Sequence, residues 1–163
     1  MSSDPIIAVV EDDEDIRSNV CRHLGQSGFQ TWGAESAEAF YVQLLRNRAD
    51  LVVVDVGLPG EDGMSLVGRL AEQGVPSILM TARADLDSRI AGLNAGALQY
   101  FVKPVDMQEL AAGIRSQLRR KALLQTLANQ LRRGGLIAPP LDSSPPISAL
   151  CSSPVANLIW WVA

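Results

Sequence analysis

Short apolar runs recur along the first hundred residues, and each is followed by a stretch with helical spacing. Ile6-Ile7-Ala8-Val9-Val10 is continuously apolar, as expected of a strand covered on both faces. Ile16, Val20 and Leu24 then recur at helical intervals and stop near Gly25 and Gly28, which predicts a first helix. Residues 29–32 read as a second strand, and 36–46 as a second helix with Ala39, Phe40 and Leu44 inward. Leu51-Val52-Val53-Val54-Asp55 is a third strand, β-favouring and apolar up to a lone carboxylate, with the turn-forming Gly57-Leu58-Pro59-Gly60 close behind. The next helix, 63–73, carries Leu66, Val67 and Leu70 and ends at Gly74. A fourth strand over 76–80 runs into Thr81, and a helix over 85–95 with apolar Ile90 and Leu93 ends at Gly96. A fifth strand over 98–102 breaks at Lys103-Pro104. A long last helix starts near Asp106 and keeps a stripe of Leu110, Ile114, Leu118, Leu124, Leu127 and Leu131.

Strand and helix alternate five times, with crossovers of the length that parallel strands need. The expected fold class is α/β: a doubly wound, five-stranded parallel sheet of flavodoxin type with helices on both faces. The pattern alone does not give the strand order.

Composition narrows the function. A chain of 163 residues with 47% hydrophobic content has room for one core and an appendage. A net charge of −4 gives no overall drive toward nucleic acid. Cys21 and Cys151 are far apart and His23 is the single histidine, so neither a zinc site nor a disulfide framework is expected, and a reducing cytoplasm is the default location. No basic, apolar leader is expected at Met1-Ser2-Ser3-Asp4-Pro5, and no stretch approaches the ~20 apolar residues that span a bilayer.

The chemistry gathers at the strand ends, because ligands of open α/β sheets bind outside the carboxyl ends of the strands. Glu11 and Asp12 follow strand one, Asp55 closes strand three, Thr81 follows strand four and Lys103 follows strand five. Acids in a first helical turn also complement the helix dipole, which is explanation enough for Glu14 and Asp15. A lone strand-end Asp is often a helix cap, and a lone Lys a solvated charge. The five together point elsewhere. Three clustered carboxylates repel one another unless a cation sits among them, and hard oxygen donors favour magnesium. A carboxylate beside Mg2+ and a lysine is a nucleophile suited to phosphorus, with Asp55 as acceptor and Thr81 donating to the phosphoryl group.

Val10-Glu11-Asp12-Asp13, Asp55 with Leu58-Pro59 and Asp62-Gly63, Thr81-Ala82, Gly96-Ala97 and Tyr100-x-x-Lys103-Pro104 form an ordered set. Over about residues 5 to 120 it resembles the receiver domain of two-component response regulators. The resemblance implies strand order 2-1-3-4-5 and phosphotransfer to Asp55 from a partner histidine kinase. It implies Mg2+ bound by Glu11, Asp12, Asp55 and the backbone carbonyl of Gly57, with Thr81 and Lys103 contacting the phosphoryl group. It also implies a switch in which Thr81 and Tyr100 remodel the face of helix 4, strand 5 and helix 5. Such a domain is a phosphoacceptor that catalyses only its own phosphorylation and dephosphorylation. A half-buried strand aromatic is the plain alternative for Tyr100.

Thr81-Ala82-Arg83, Asp87-x-Arg89-x-x-Gly92-Leu93 and Leu118-Arg119-Arg120 are similar to the winged-helix transcription-factor branch. In that branch the switched face forms a symmetric dimer through salt bridges. Here the usual acidic pair is Leu98-Gln99 and the usual arginine of helix 5 is Gly113, leaving Arg89 and Glu109 for one bridge. A weakened homodimer, or another surface, is expected.

Residues 1–120 are read as the receiver, 121–133 as an extension of the last helix and 134–163, rich in Pro and Ser with Asp142 its one charge, as a disordered tail. Thirty residues cannot hold a winged helix, so DNA binding by this chain itself is not expected. Arg115, Arg119, Arg120, Lys121, Arg132 and Arg133 read as a solvated helix face. The alternative is a winged-helix DNA-binding regulator whose output domain is missing from this chain. An Asp-x-Asp phosphatase fails because position 57 is Gly. A nucleotide-binding domain fails because no Gly-rich loop follows strand one.

Overall fold

The computed structural model describes residues 3–134. The elements run β1 (Ile6–Val10), α1 (Glu14–Gln26), β2 (Gln30–Ala34), α2 (Ala37–Leu44), β3 (Leu51–Asp55), α3 (Gly63–Glu72), β4 (Ser77–Thr81), α4 (Leu86–Ala95), β5 (Gln99–Val102) and α5 (Met107–Arg133). All strand pairs are parallel, in the order β2-β1-β3-β4-β5. The sheet is therefore doubly wound, and its order reverses beside β1, the position where such sheets open a crevice.

Alternate residues of each strand face opposite layers. Ile7, Val9, Leu51, Val53, Ile78 and Met80 pack with Val20 and Leu24 of α1 and with Leu110 and Ile114 of α5. Ala8, Val10, Val52, Val54 and Leu79 pack with Phe40 of α2 and with Leu66, Val67 and Leu70 of α3. Each large aliphatic chain so buried contributes about 1.5–3 kcal/mol relative to exposure. The helices that follow the strands open on side-chain caps that satisfy free N–H groups: Asp13, Ser36, Asp62, Asp85 and Asp106 accept from Ile16, Ala39, Ser65, Ser88 and Glu109.

One expected strand is shifted, and two helices leave part of their apolar residues exposed. β2 lies two residues later at its end than 29–32, because Gly33 and Ala34 complete the ladder with Val9 and Val10. In α4 the apolar Ile90 and Leu93 do not face the core. Gly92 is the buried residue, and Ile90 and Leu93 stand about half exposed. The stripe of α5 is buried only at Leu110 and Ile114, with Leu118 partly so; Leu124, Leu127 and Leu131 are exposed.

The chain divides into two units, Met1–Leu124 and Gln125–Ala163. The first contains the whole sheet. Of the second, the described residues comprise the C-terminal turns of α5 and Gly134. The expected tail, 134–163, otherwise lies outside the described residues. Among the described residues, no helix is long and apolar enough to cross a membrane.

Candidate functional site

The C-terminal ends of β1, β3, β4 and β5 bring Glu11, Asp12, Asp55, Thr81 and Lys103 together. Glu11 is reached one residue past the end of β1, its N–H held by the carbonyl of Ala34 at 3.0 Å, and its side chain is buried. Asp12 next to it is exposed. Asp55, the last residue of β3, is buried, and so is Thr81, the last of β4. Lys103 follows β5, its N–H bonded to the Thr81 carbonyl at 2.7 Å; its peptide bond to Pro104 is cis.

One ammonium joins two of the acids. Lys103 Nζ donates to Glu11 Oε2 at 2.6 Å and lies 3.3 Å from Asp55 Oδ1. Burial pushes the Glu11 carboxyl above its ordinary range and the charge of Asp55 adds to this, outweighing the opposing Lys103 hydrogen bond. Burial alone would lower the Lys103 ammonium, but the Glu11 hydrogen bond and the charges of Asp55 and Glu11 outweigh it and raise it. One lysine faces three carboxylates, so their negative charge is incompletely offset.

Glu11, Asp12 and Asp55 each present a carboxylate oxygen, all within 4.8 Å of one another. Three hard oxygen donors at that separation, one exposed and two buried, fit a magnesium-sized cation with room for further oxygen ligands. Gly57 stands beside them: a Cβ there would lie 3.3 Å from Asp55 Oδ2.

The two expected switch residues, Thr81 and Tyr100, both contact Arg83. Thr81 Oγ1 accepts from the N–H of Arg83 at 3.2 Å, and the Tyr100 hydroxyl donates to the Arg83 carbonyl at 2.7 Å. Burial of the Tyr100 phenol and the charge of Asp85 raise its pKa. Arg89 and Glu109 are exposed on α4 and α5. Residues 7–115 match the response regulator receiver domain family. The chain belongs to that family.

Named relatives agree. The chain is 36% identical over 128 residues to the transcriptional regulatory protein PrrA of Mycobacterium tuberculosis, covering 77% of this chain and 55% of that protein. It is 36% identical over 118 residues to the two-component response regulator PhoP of Pseudomonas aeruginosa, covering 71% of this chain and 52% of that one. A solved receiver domain protein (CheY-like) from Methanospirillum hungatei superposes with a TM-score of 0.68 at 27% identity, covering 74% of this chain and 98% of that one. The chain spans about half the length of the two regulators, and the part it shares with them is the receiver domain of two-component response regulators.

The sequence reading missed two residues that shape the site. Gly63 opens α3 so close to β3 that a Cβ would overlap the Asp55 carbonyl oxygen. Arg17 of α1 donates from Nη1 to the carbonyls of Glu11 and Asp12, at 2.7 and 3.3 Å. Asp62-Gly63 was visible as part of a motif without its reason. Arg17 left no signal beyond its place one turn into a helix that starts at the acids.

Proposed function

We propose that Asp55 is the phosphoacceptor of a two-component phosphorelay and that Glu11, Asp12, Asp55 and the carbonyl of Gly57 hold Mg2+. A carboxylate oxygen of Asp55 attacks phosphorus of a kinase phosphohistidine. The P–N bond breaks, its electron pair returns to the imidazole, and an acyl phosphate forms. A bound cation supplies positive charge against the phosphoryl oxygens. Lys103, already bonded to Asp55, shifts its ammonium onto one of those oxygens, and the Thr81 hydroxyl donates to another. The single observation that carries this reading is the convergence of three carboxylates within 4.8 Å around the lysine that bonds two of them.

A groove of about 680 Å³ supports docking of the kinase. Ile16 and Val20 of α1, Met80, Pro104, Val105 and Met107 line it together with Asp15, Asn19 and Lys103. Apolar walls ending at Lys103 suit a helix that presents a phosphohistidine to Asp55. Output then passes through Thr81 and Tyr100 to the face of α4, β5 and α5.

A homodimer on that face is weakened. Gln99 lies over Gly113, where a Cβ would come within 2.5 Å of Gln99 Oε1, so the side chain that replaces the usual acid also occupies the space of the usual arginine. The remaining pair, Arg89 and Glu109, is exposed, and exposed pairs typically stabilise by only ~0–1 kcal/mol. Tight dimers of the beryllofluoride form in sedimentation, lost in Arg89→Ala, would contradict this.

The test of the whole reading is incubation with acetyl phosphate and Mg2+. Intact mass should rise by one phosphoryl group in the wild type and not in Asp55→Asn; equal labelling of both overturns it. A second reading follows from the length of the relatives: this chain is the receiver part of a DNA-binding winged-helix regulator. A winged-helix pattern in another frame of the downstream gene sequence supports it, and absence of one favours a receiver that acts through a partner.

A further inference from the structure

The two neighbouring acids of the site are held from behind by one side chain. β1 ends at Val10, so the carbonyls of Glu11 and Asp12 lie beyond the strand, and Arg17 Nη1 reaches both, at 2.7 and 3.3 Å. The stem of Arg17 lies on β2 where that strand has no side chain. A Cβ at Gly33 would stand 2.8 Å from Arg17 Cδ and 2.9 Å from Cγ, closer than such atoms approach. The adjacent Ala34 carbonyl takes the Glu11 N–H, so the same end of β2 fixes the loop through backbone and arginine alike.

We propose that Arg17 is a positioning residue for the divalent-cation site, and that Gly33 is the gap that lets it act. The proposal rests on Glu11, Asp12 and Asp55 being the cation ligands. Both bonds come from one nitrogen, whose two N–H bonds are fixed in the guanidinium plane, whereas an ammonium on a flexible stem is a point charge with no such fixed direction. Held at successive carbonyls, the peptide between Glu11 and Asp12 cannot rotate, and both carboxylates stay aimed at the oxygen of Asp55. Groups behind metal ligands orient them, and their loss commonly weakens metal binding 10- to 100-fold, on the order of magnitude expected here.

The sign of the effect separates positioning from charge. Arg17 is a cation beside a cation site, so if it acted only through its charge, removing it would tighten Mg2+ binding. If it positions the acids, removing it weakens binding although a repulsion has been relieved.

Calorimetric Mg2+ titration of the full chain tests this, with a urea melt run on each variant and Mn2+ titration by paramagnetic resonance as a second probe. Arg17→Gln is expected to weaken Mg2+ by about 10-fold or more. Arg17→Lys, which keeps the charge and loses the rigid plane that aims Nη1, is expected to weaken it too. Gly33→Ala should weaken binding when Arg17 is present and add little when combined with Arg17→Gln, because both remove the same support. Unchanged or tighter Mg2+ binding by folded Arg17→Gln overturns the proposal, as does strict additivity of the two substitutions. If the wild type itself shows no Mg2+ binding that Asp12→Asn reduces, the cation-site reading fails and this inference with it. Normal wild-type binding with indifferent Arg17 variants overturns the inference alone.

Discussion

Thr81 and Tyr100 hold the two ends of one residue: the Thr81 hydroxyl accepts from the N–H of Arg83 at 3.2 Å, and the Tyr100 hydroxyl donates to its carbonyl at 2.7 Å. A displacement of Thr81 toward Asp55 therefore loosens the anchor of Tyr100. In the proposed switch the Tyr100 bond is made before phosphorylation, so removing it should favour the other arrangement. Tyr100→Phe is expected to cost about 0.5 kcal/mol in urea unfolding, the low end for a hydrogen bond because this one is solvent-accessible. The same amount should appear as roughly twofold tighter beryllofluoride binding by fluorine resonance. Unchanged binding would mean that the bond persists in both states, and weaker binding that it belongs to the beryllofluoride-bound one.

Cation binding should compete with protons above the ordinary carboxylate range. Burial and the Asp55 charge raise Glu11 above its usual 4.5, so just above that pH the folded domain holds a proton that the unfolded chain has released. Stability of the cation-free domain accordingly falls as pH rises through this window, up to the folded pKa. Mg2+ needs the carboxylate, so its apparent affinity should fall as pH is lowered through the same window, with one proton released per ion. The gain in melting temperature from added Mg2+ should grow as pH rises from 4.5 through the raised Glu11 pKa, and Glu11→Gln should flatten that dependence.

Much of this site can be read in the sequence because buried parallel strands are continuous apolar runs, and Asp55, Thr81 and Lys103 sit where such runs end. The register of β2 was harder, since Gly33 and Ala34 are poor strand formers held by their pairing with Val9 and Val10. In α4 the apolar Ile90 and Leu93 do not mark the inward face: Gly92 occupies it, because Leu79 and the Tyr100 ring fill the space beneath. Arg17 was invisible for another reason. A long side chain bonded to backbone carbonyls leaves no periodicity, and the absence of a side chain at Gly33 explains itself only once β2 and α1 are packed.

Gly63 should be the least replaceable glycine near Asp55. Its missing Cβ would overlap the carbonyl oxygen of Asp55 and lie 2.9 Å from Val56 Cα, both of them backbone atoms that a rotamer change cannot move. Gly63→Ala is expected to destabilise by about 1–3 kcal/mol and to slow labelling by acetyl phosphate, because the end of β3 has to shift. Gly57→Ala, whose Cβ would meet only the Asp55 side chain at 3.3 Å, should unfold close to the wild type. Equal urea midpoints for the two variants would contradict the close approach of α3 to β3.

Lys103 opposes the cation in one respect and substitutes for it in another. In the cation-free domain its ammonium bonds Glu11 at 2.6 Å and Asp55 at 3.3 Å, both buried acids. Lys103→Met leaves Glu11 without that bond and is expected to cost about 1–3 kcal/mol of stability without Mg2+. On the alkaline side the pair of the wild type is intact up to pH 10.5 and, because the folded Lys103 pKa is raised, is lost only above that value; on the acid side it is lost as Glu11 takes up its proton, already above pH 4.5. With the competing ammonium gone, Mg2+ should bind the variant more tightly and restore much of the lost stability. Labelling by acetyl phosphate should nevertheless fall, since no group remains to take the phosphoryl oxygen opposite the acids. A variant that binds Mg2+ more tightly and still accepts phosphate at the wild-type rate would assign Lys103 to stability alone.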